Sequence, residues 1–381
     1  MLTERVLAAV PLPEHQILLM LARTRISEAG YAEVRQFIAN HPIDWRVVVD
    51  TARAHGVLAL SYRHLLALRP ESLPKDLIQI SKGAVMSSAA RNLQMAKEVI
   101  RIAQQMNALG IEVLTYKGAA LALLAFDGVG GRQFNDIDLL VSSADLVQAK
   151  NLLLEQQYVA VSSPEHRSMQ KDDHDRSYQG YDLVSRDGRI AVDLQERFGL
   201  RFSSFDLSFS ELWARRQTIG LPDSSVMTLS FEDYILVLSA HGTQHRWGRL
   251  KWVSDLAELV VRASDLNWDT IIERAKVMRT ERMVRIGLLL AHEAMGMPLT
   301  AEIERWVYSD SAALKVMQDV LRWMFIEASN FDPSLQRALF DYGFDLSVRP
   351  RLNDKVQCVI FLTRRRLMRR VRHEAADHPT A

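Results

Sequence analysis

Apolar positions along the chain fall into three stretches of different rhythm. Residues 1 to about 110 repeat at helical spacing. Ile17 to Ala22 is apolar, and a second segment runs from Tyr31 to Asn40. A third opens at Asp44, a good N-cap type, and stops at Gly56, a good C-cap type. After Leu73-Pro74 a long segment reaches Gly110. Its apolar residues Val85, Ala89, Leu93, Ala96, Ile100 and Ala103 are three or four apart and predict one buried helix face.

The rhythm changes after Gly110. Ile111 to Thr115 is short, apolar and β-branched, which predicts a strand. Tyr116-Lys117-Gly118 then turns into an Ala/Leu-rich helix ending near Phe126, and Gly128 to Gly131 is a glycine-rich loop. Asp136 to Val141 reads as a strand, Ser143 to Gln156 as a helix and Tyr158 to Val161 as a further strand. Residues 163–177 are polar and predict a loop. Tyr178 to Val184 and Arg189 to Leu194 flank Arg186-Asp187-Gly188, and Asp-Gly between alternating runs predicts a hairpin.

From Ser230 the pattern is helical again, near 231–247, 251–263, 268–278, 281–295 and 312–327, with Ser230 and Asp233 spaced as a capping box. Ile43-Asp44-Trp45 and Leu266-Asn267-Trp268 share the same offsets to the apolar residues that follow, as two helix starts of one type would. The pattern predicts an α+β architecture. A small mixed-sheet core at 110–225 lies between an N-terminal helical region, 1–109, and a C-terminal one, 226–381.

Composition narrows the class. The chain has 381 residues, 48% of them hydrophobic and 24% charged, with material for a sizeable core. Lys plus Arg is 47 against 46 for Asp plus Glu, so overall charge gives no reason to expect a protein that coats nucleic acid. The single cysteine, Cys358, forms no disulfide framework and no Cys-based zinc site, which suits a reducing compartment and predicts a cytoplasmic location. The longest clean apolar run, Gly118 to Phe126, is far below the roughly 18 residues of a membrane span. Glu4, Pro11 and Pro13 argue against a signal peptide.

The strongest candidate chemistry is Asp136-Ile137-Asp138. On a strand, residues two apart share a face, so both carboxylates project together while Ile137 points into the core. Paired carboxylates repel unless a cation holds them, and Mg²⁺ is commonly held by a few carboxylates with substrate phosphates. Asp193, near the end of the second hairpin strand, is a third acid. A pair of this kind is also found simply solvated at a strand edge. Lys117-Gly118 sits between a strand and a helix, where a small residue and the helix N-terminus favour an approaching phosphate. It is not a Walker loop, because the Gly-x4-Gly-Lys-Ser/Thr spacing is absent. An ordinary strand-to-helix turn has the same look.

Taken in order, Lys117-Gly118-Ala119-Ala120, Arg132 and Asp136-Ile137-Asp138-Leu139-Leu140-Val141, with the later His241, Trp247, Arg249-Leu250, Trp252 and Asp255, resemble one known pattern. The chain is similar to the bacterial "uncharacterised nucleotidyltransferase" family, within the superfamily typified by DNA polymerase β. The resemblance spans roughly residues 30–300. It implies a metal-dependent transfer of a nucleoside monophosphate from a nucleoside triphosphate such as ATP to an acceptor hydroxyl, releasing pyrophosphate. It also implies that Asp136, Asp138 and Asp193 are the catalytic acids and ligate two Mg²⁺, with Mn²⁺ as a substitute. Asp193 would take the hydroxyl proton, Lys117 and Gly118 would face the triphosphate, and Arg132 would pair with it. The chain departs from the superfamily at Ala119, where a Gly or Ser is usual, and at Gln195, where relatives often carry His.

Other residues leave alternatives open. His241 and His245 are one helical turn apart, but Gly242 stands where a zinc protease needs Glu. They are either a structural pair or, with Arg249, the acceptor or base side of the site. Trp247 and Trp252 read as core. His166 and His174 lie in the polar loop, as solvated residues or as part of a cover over a nucleotide. Arg364, Arg365, Arg366, Arg369, Arg370 and Arg372 make either a solvated helix end or a contact for a membrane surface or nucleic acid. The expected partners are an NTP and a hydroxyl-bearing acceptor, with a protein or peptide among the candidates. Two rivals remain: a partner-binding, antitoxin-like protein on a scaffold that has lost turnover, and a kinase using the same carboxylates.

Overall fold

A computed structural model describes residues 2–161, 180–198, 205, 207–221, 224–326, 335–349, 351–356 and 358–360. The polar loop at 163–177 with His166 and His174, and the six arginines at 364–372, lie outside the described residues.

Six helices open the chain: α1 (Glu4–Ala9), α2 (Pro13–Leu21), α3 (Glu28–Asn40), α4 (Trp45–Ala54), α5 (Leu58–Leu68) and α6 (Lys75–Ala108). Asp44 caps α4 by accepting from the Arg46 and Val47 amides, and Gly56 takes the left-handed conformation beyond its end. The long helix α6 forms as its apolar rhythm predicts, and its buried face keeps Ala96 and Ala103 of the expected stripe but not Leu93. Leu93 is 50% exposed, and the face turned inward carries Asn92, Met95, Ala96, Val99, Ile102, Ala103 and Met106. A polar residue sets this rotation. The Asn92 amide donates to the carbonyls of Val129 and Arg132, each at 2.7 Å, and so must face the protein.

The middle of the chain holds β1 (Val113–Tyr116), α7 (Gly118–Ala125), β2 (Asp136–Val141), α8 (Leu146–Glu155), β3 (Tyr158–Ala160), β4 (Gly180–Ser185) and β5 (Ala191–Gln195). These five strands form one mixed sheet in the order β1-β2-β5-β4-β3. Strand β2 runs antiparallel to β1 and parallel to β5, and the expected hairpin pairs β4 with β5. Alternation gives the sheet two unlike faces. Ile137, Leu139, Val141, Leu183, Val192 and Leu194 pack with α6 and α8 residues in one apolar cluster. The other face carries Asp136, Asp138, Asp193 and Asp182.

A short helix α9 (Phe209–Ala214) and a two-stranded hairpin, β6 (Gln217–Leu221) with β7 (Ser224–Thr228), follow. Neither has a clear sequence rhythm, and the hairpin is fastened to β1 where Thr228 Oγ1 donates to the Thr115 carbonyl at 2.6 Å. The C-terminal helices are α10 (Phe231–Gln244), α11 (Leu250–Arg262), α12 (Trp268–Val277), α13 (Glu281–Met295), α14 (Ala301–Tyr308), α15 (Ser311–Met324) and α16 (Leu335–Ser347). Ser230 and Asn267 cap α10 and α12 as their spacing predicts. One core joins the N-terminal helices, the inner ends of β1 and β2, and α10 to α15. No helix among the described residues is long and apolar enough to cross a membrane.

Candidate active site

Register builds the site. Asp138 on β2 pairs with Asp193 on β5, and Asp193 pairs with Asp182 on β4. Tyr116 on β1 pairs with Asp138 from the other side. Paired residues project to the same face, so three acids stand in a row across adjacent strands, with Asp136 two positions before Asp138 on β2. Asp182 belongs to the row, although neither motif nor spacing singles it out in the sequence.

The turn before α7 supplies a cation. Lys117 Nζ donates to Asp138 Oδ1 at 3.0 Å, with the two side chains 16% and 4% exposed. Lys117 has φ 53° and ψ −141°, a region that side-chain-bearing residues rarely occupy and that costs of order 1–3 kcal/mol. That conformation brings its ammonium back over β2, 4.9 Å from the centre of the Tyr116 ring. Gly118 follows at φ 34°, and a Cβ there would stand 3.2 Å from the Asp136 carbonyl oxygen. The glycine is therefore set by the close approach of the turn to β2 as well as by its own backbone angle.

Second partners hold the acids. Gln195 donates from Nε2 to Asp193 Oδ2, and Tyr116 Oη donates to Gln195 Oε1 at 3.0 Å. Gln195, a departure from the superfamily pattern, thus orients the third acid. Burial, with the Asp136 and Asp193 charges adding to it and Lys117 opposing, raises the Asp138 carboxyl to about 7. Lys117 has its pKa raised: burial works against its charge, and Asp138 first, then Asp193 and Asp136, outweigh it.

Arg132 sits beside this cluster, but its main partner is an acid on a helix. Its Nε and Nη2 donate to Asp255 of α11 at 2.6 and 2.8 Å, with side chains 6% and 1% exposed. Two of the three guanidinium nitrogens are therefore committed. Nη1 is buried and has no partner among the described residues.

The helices α10 and α11 close this side. Trp247 is fully buried, its ring seated where a Cβ on Gly242 would stand 2.6 Å from it, which is why position 242 takes no side chain. His245 stacks on Trp252 with centroids 4.9 Å apart, and His241 meets Trp252 edge-on at 5.7 Å. Burial lowers both imidazoles, helped by the Lys117 charge: His241 far below its ordinary value and His245 to about 4. His245 is nonetheless exposed on one side. Arg249 is exposed at the N-cap of α11. The structure thus brings Lys117, Gly118, Arg132, Asp136, Asp138, Asp193, His241 and His245 to one side of the sheet. Lys251, one turn before Asp255, is a further cation there that the sequence reading misses. Its i, i+4 spacing to Asp255 is the signal that would have found it.

Asp136, Asp138 and Asp193 offer hard oxygen ligands, yet among the described residues no group of three His, Cys, Asp or Glu side chains is placed to hold a metal ion by itself. Mg²⁺ commonly keeps several waters and takes phosphate oxygens, so it does not require a full protein cage. An apolar hollow among Val49, Tyr62, Leu65, Leu73 and Leu77 lies apart, between α4, α5 and α6, and has no charged lining.

The α+β fold with a mixed five-stranded sheet is the one expected of a nucleotidyltransferase. The model of the uncharacterised nucleotidyltransferase family matches residues 41–296, and the chain belongs to that family. Among solved structures, one match is an antigenic nucleotidyltransferase-like protein from Paracoccidioides brasiliensis. It shares 16% identity, with 56% of this chain and 96% of that chain covered and a TM-score of 0.32. No curated protein matches the chain.

Proposed function

We propose that the chain transfers a nucleoside monophosphate from a nucleoside triphosphate to a hydroxyl group of an acceptor. The supporting observation is the register of Asp138 opposite Asp193, with Asp136 on the same face and Lys117 held against Asp138. Asp136, Asp138 and Asp193 would hold Mg²⁺, or Mn²⁺ in its place, and the ions would supply charge neutralisation on the phosphoryl oxygens.

The chain's own groups divide the remaining work. The Lys117-Gly118 turn and the first amides of α7 face an anion, and the helix dipole favours one there. The acceptor oxygen forms a bond to the α-phosphorus as the bond from that phosphorus to the bridging oxygen breaks. The bridging electron pair leaves with pyrophosphate. The hydroxyl proton passes to the Asp193 carboxylate, which Gln195 orients, and then to solvent. His241 and His245 are neutral at pH 7, so they contact the base or acceptor through hydrogen bonds and stacking rather than charge. Arg249 stands on the same side. The single cysteine is consistent with work in a reducing compartment such as the cytoplasm.

The test uses α-labelled NTPs with Mg²⁺ and candidate acceptors: proteins, peptides, sugars and RNA ends. Nucleotidyl transfer puts the label on an acceptor and releases pyrophosphate. Release of a labelled nucleoside diphosphate would mean phosphoryl transfer instead, and no turnover of any NTP would leave a binding scaffold.

A further inference from the structure

A second cation lies on α11 within electrostatic reach of the acid row. Lys251 is in the first turn of that helix, four residues before Asp255, so the two share a helix face. Asp255 is occupied by Arg132 through two hydrogen bonds. Its four-carbon stem is held in place: a Cβ on Gly56 would stand 2.9 Å from Lys251 Cδ, and Gly56 is at φ 71°. The backbone around it is fixed as well, since the Lys251 amide donates to the His55 carbonyl at 3.1 Å and the Leu250 amide to His55 Nδ1 at 3.2 Å.

The ammonium makes no hydrogen bond within the described residues, and Lys251 is half-buried, so it reaches solvent. Burial lowers its pKa, and Arg132 depresses it further while Asp255 and Asp136 act the other way. The nearby Arg132 Nη1 is buried in a side chain 6% exposed and has no partner among the described residues. Two donors of one sign therefore stand beside Asp255, the guanidinium nitrogen buried and the Lys251 ammonium half-buried, near a site whose acids already have Lys117.

We propose that Lys251, with Arg132 Nη1, seats the terminal phosphates of the triphosphate, the part that leaves as pyrophosphate. This rests on the nucleotidyl-transfer reading and adds a residue to it. The leaving group gains negative charge as its bond to the α-phosphorus breaks. Fixed cations in a partly dry site stabilise that charge more than water does. Lys117 is tied to Asp138 at the other side, so the two lysines grip different parts of the phosphate chain.

The experiment titrates the full chain with inorganic pyrophosphate and, separately, with a non-hydrolysable ATP analogue plus Mg²⁺, by calorimetry. Wild type is compared with Lys251→Met, Lys251→Arg and Asp136→Ala/Asp138→Ala, each checked for an unchanged melting temperature. Methionine keeps most of the apolar stem against Gly56, and arginine keeps the charge. We expect pyrophosphate binding to weaken at least about tenfold in Lys251→Met, as losing a charged hydrogen bond of about 1.4 kcal/mol or more implies, and to recover in Lys251→Arg. Equal pyrophosphate affinity in wild type and Lys251→Met, with analogue binding intact, would overturn this inference alone. Pyrophosphate binding that depends on Lys251, without any Mg²⁺-dependent binding of the analogue, would support the seat and overturn the nucleotidyl-transfer reading. Binding of neither probe by folded wild type would overturn both.

Discussion

Two buried ion pairs stand side by side in this protein and are built differently. Arg132 and Asp255 are joined by two short, parallel hydrogen bonds between side chains almost wholly withdrawn from water. Lys117 and Asp138 share one bond of 3.0 Å, with the lysine backbone strained and two further carboxylates beside the acceptor. The first pair is a fastening. It ties the loop after α7 to α11, and Asn92 of α6 holds the same loop through the Val129 and Arg132 carbonyls. The second is an exchangeable contact: one neutralising hydrogen bond is easily traded for another cation, whereas a bidentate pair is not. Fixed geometry around a replaceable partner is what a site that admits a charged substrate requires.

The largest effect is expected where the fastening breaks. Asp255→Ala leaves the Arg132 charge buried and alone, and denaturant unfolding should show a loss of about 3–5 kcal/mol. A loss below about 1 kcal/mol would mean that the pair does not carry the joint. The next effect is one of pH at the N-terminal foot of α11. His55 is buried, and that burial, with the neighbouring His15 and Arg249 charges, lowers it to about 4 from an ordinary 6.5. The unfolded chain therefore takes up a proton that folded His55 refuses. The stability this residue contributes is full above pH 6.5 and falls as pH drops toward 4, by up to about 3 kcal/mol. Unfolding curves from pH 7 to 4 should be shallower in pH for His55→Gln than for wild type, and identical slopes would remove His55 from the account.

Smaller effects separate the two pairs more finely. Asn92→Ala releases two carbonyls of the Arg132 loop and should cost about 1–3 kcal/mol, while Leu93→Gln, at the exposed neighbouring position, should stay within about 0.5 kcal/mol. Equal losses at the two positions would contradict the rotation of α6. Asp138→Asn should change stability least among the buried positions, about 1 kcal/mol or less, because an amide oxygen still accepts from Lys117. It should nevertheless lose Mg²⁺-dependent nucleotide binding, measured by thermal shift.

Much of this was legible in the chain. Asp136 to Val141 is a strand with the limits its pattern predicts, and Ile137 turns inward while the two acids face out, because a period of two allows nothing else. The Asp187-Gly188 hairpin and the caps at Asp44, Ser230 and Asn267 form where local chemistry requires them. What escaped the reading depends on tertiary pairing. Within the α6 stripe Leu93 alone is exposed, because an amide 37 and 40 residues from its acceptors turns Asn92 inward, and no local rhythm reports that. Arg132 is a cation near phosphates by motif, yet two of its nitrogens serve Asp255, 123 residues away. Lys251 and Asp182 carry no motif and enter only through a shared helix face and a strand register.

The central claim is that the face bearing Asp136, Asp138 and Asp193 takes a nucleoside triphosphate together with a divalent cation. Calorimetric titration of non-hydrolysable NTP analogues, with and without Mg²⁺, into wild type and Asp136→Ala/Asp138→Ala tests it most directly. Binding should require Mg²⁺ and be lost in the folded double variant. Failure of folded wild type to bind any analogue, or binding that the double variant retains undiminished, would contradict it.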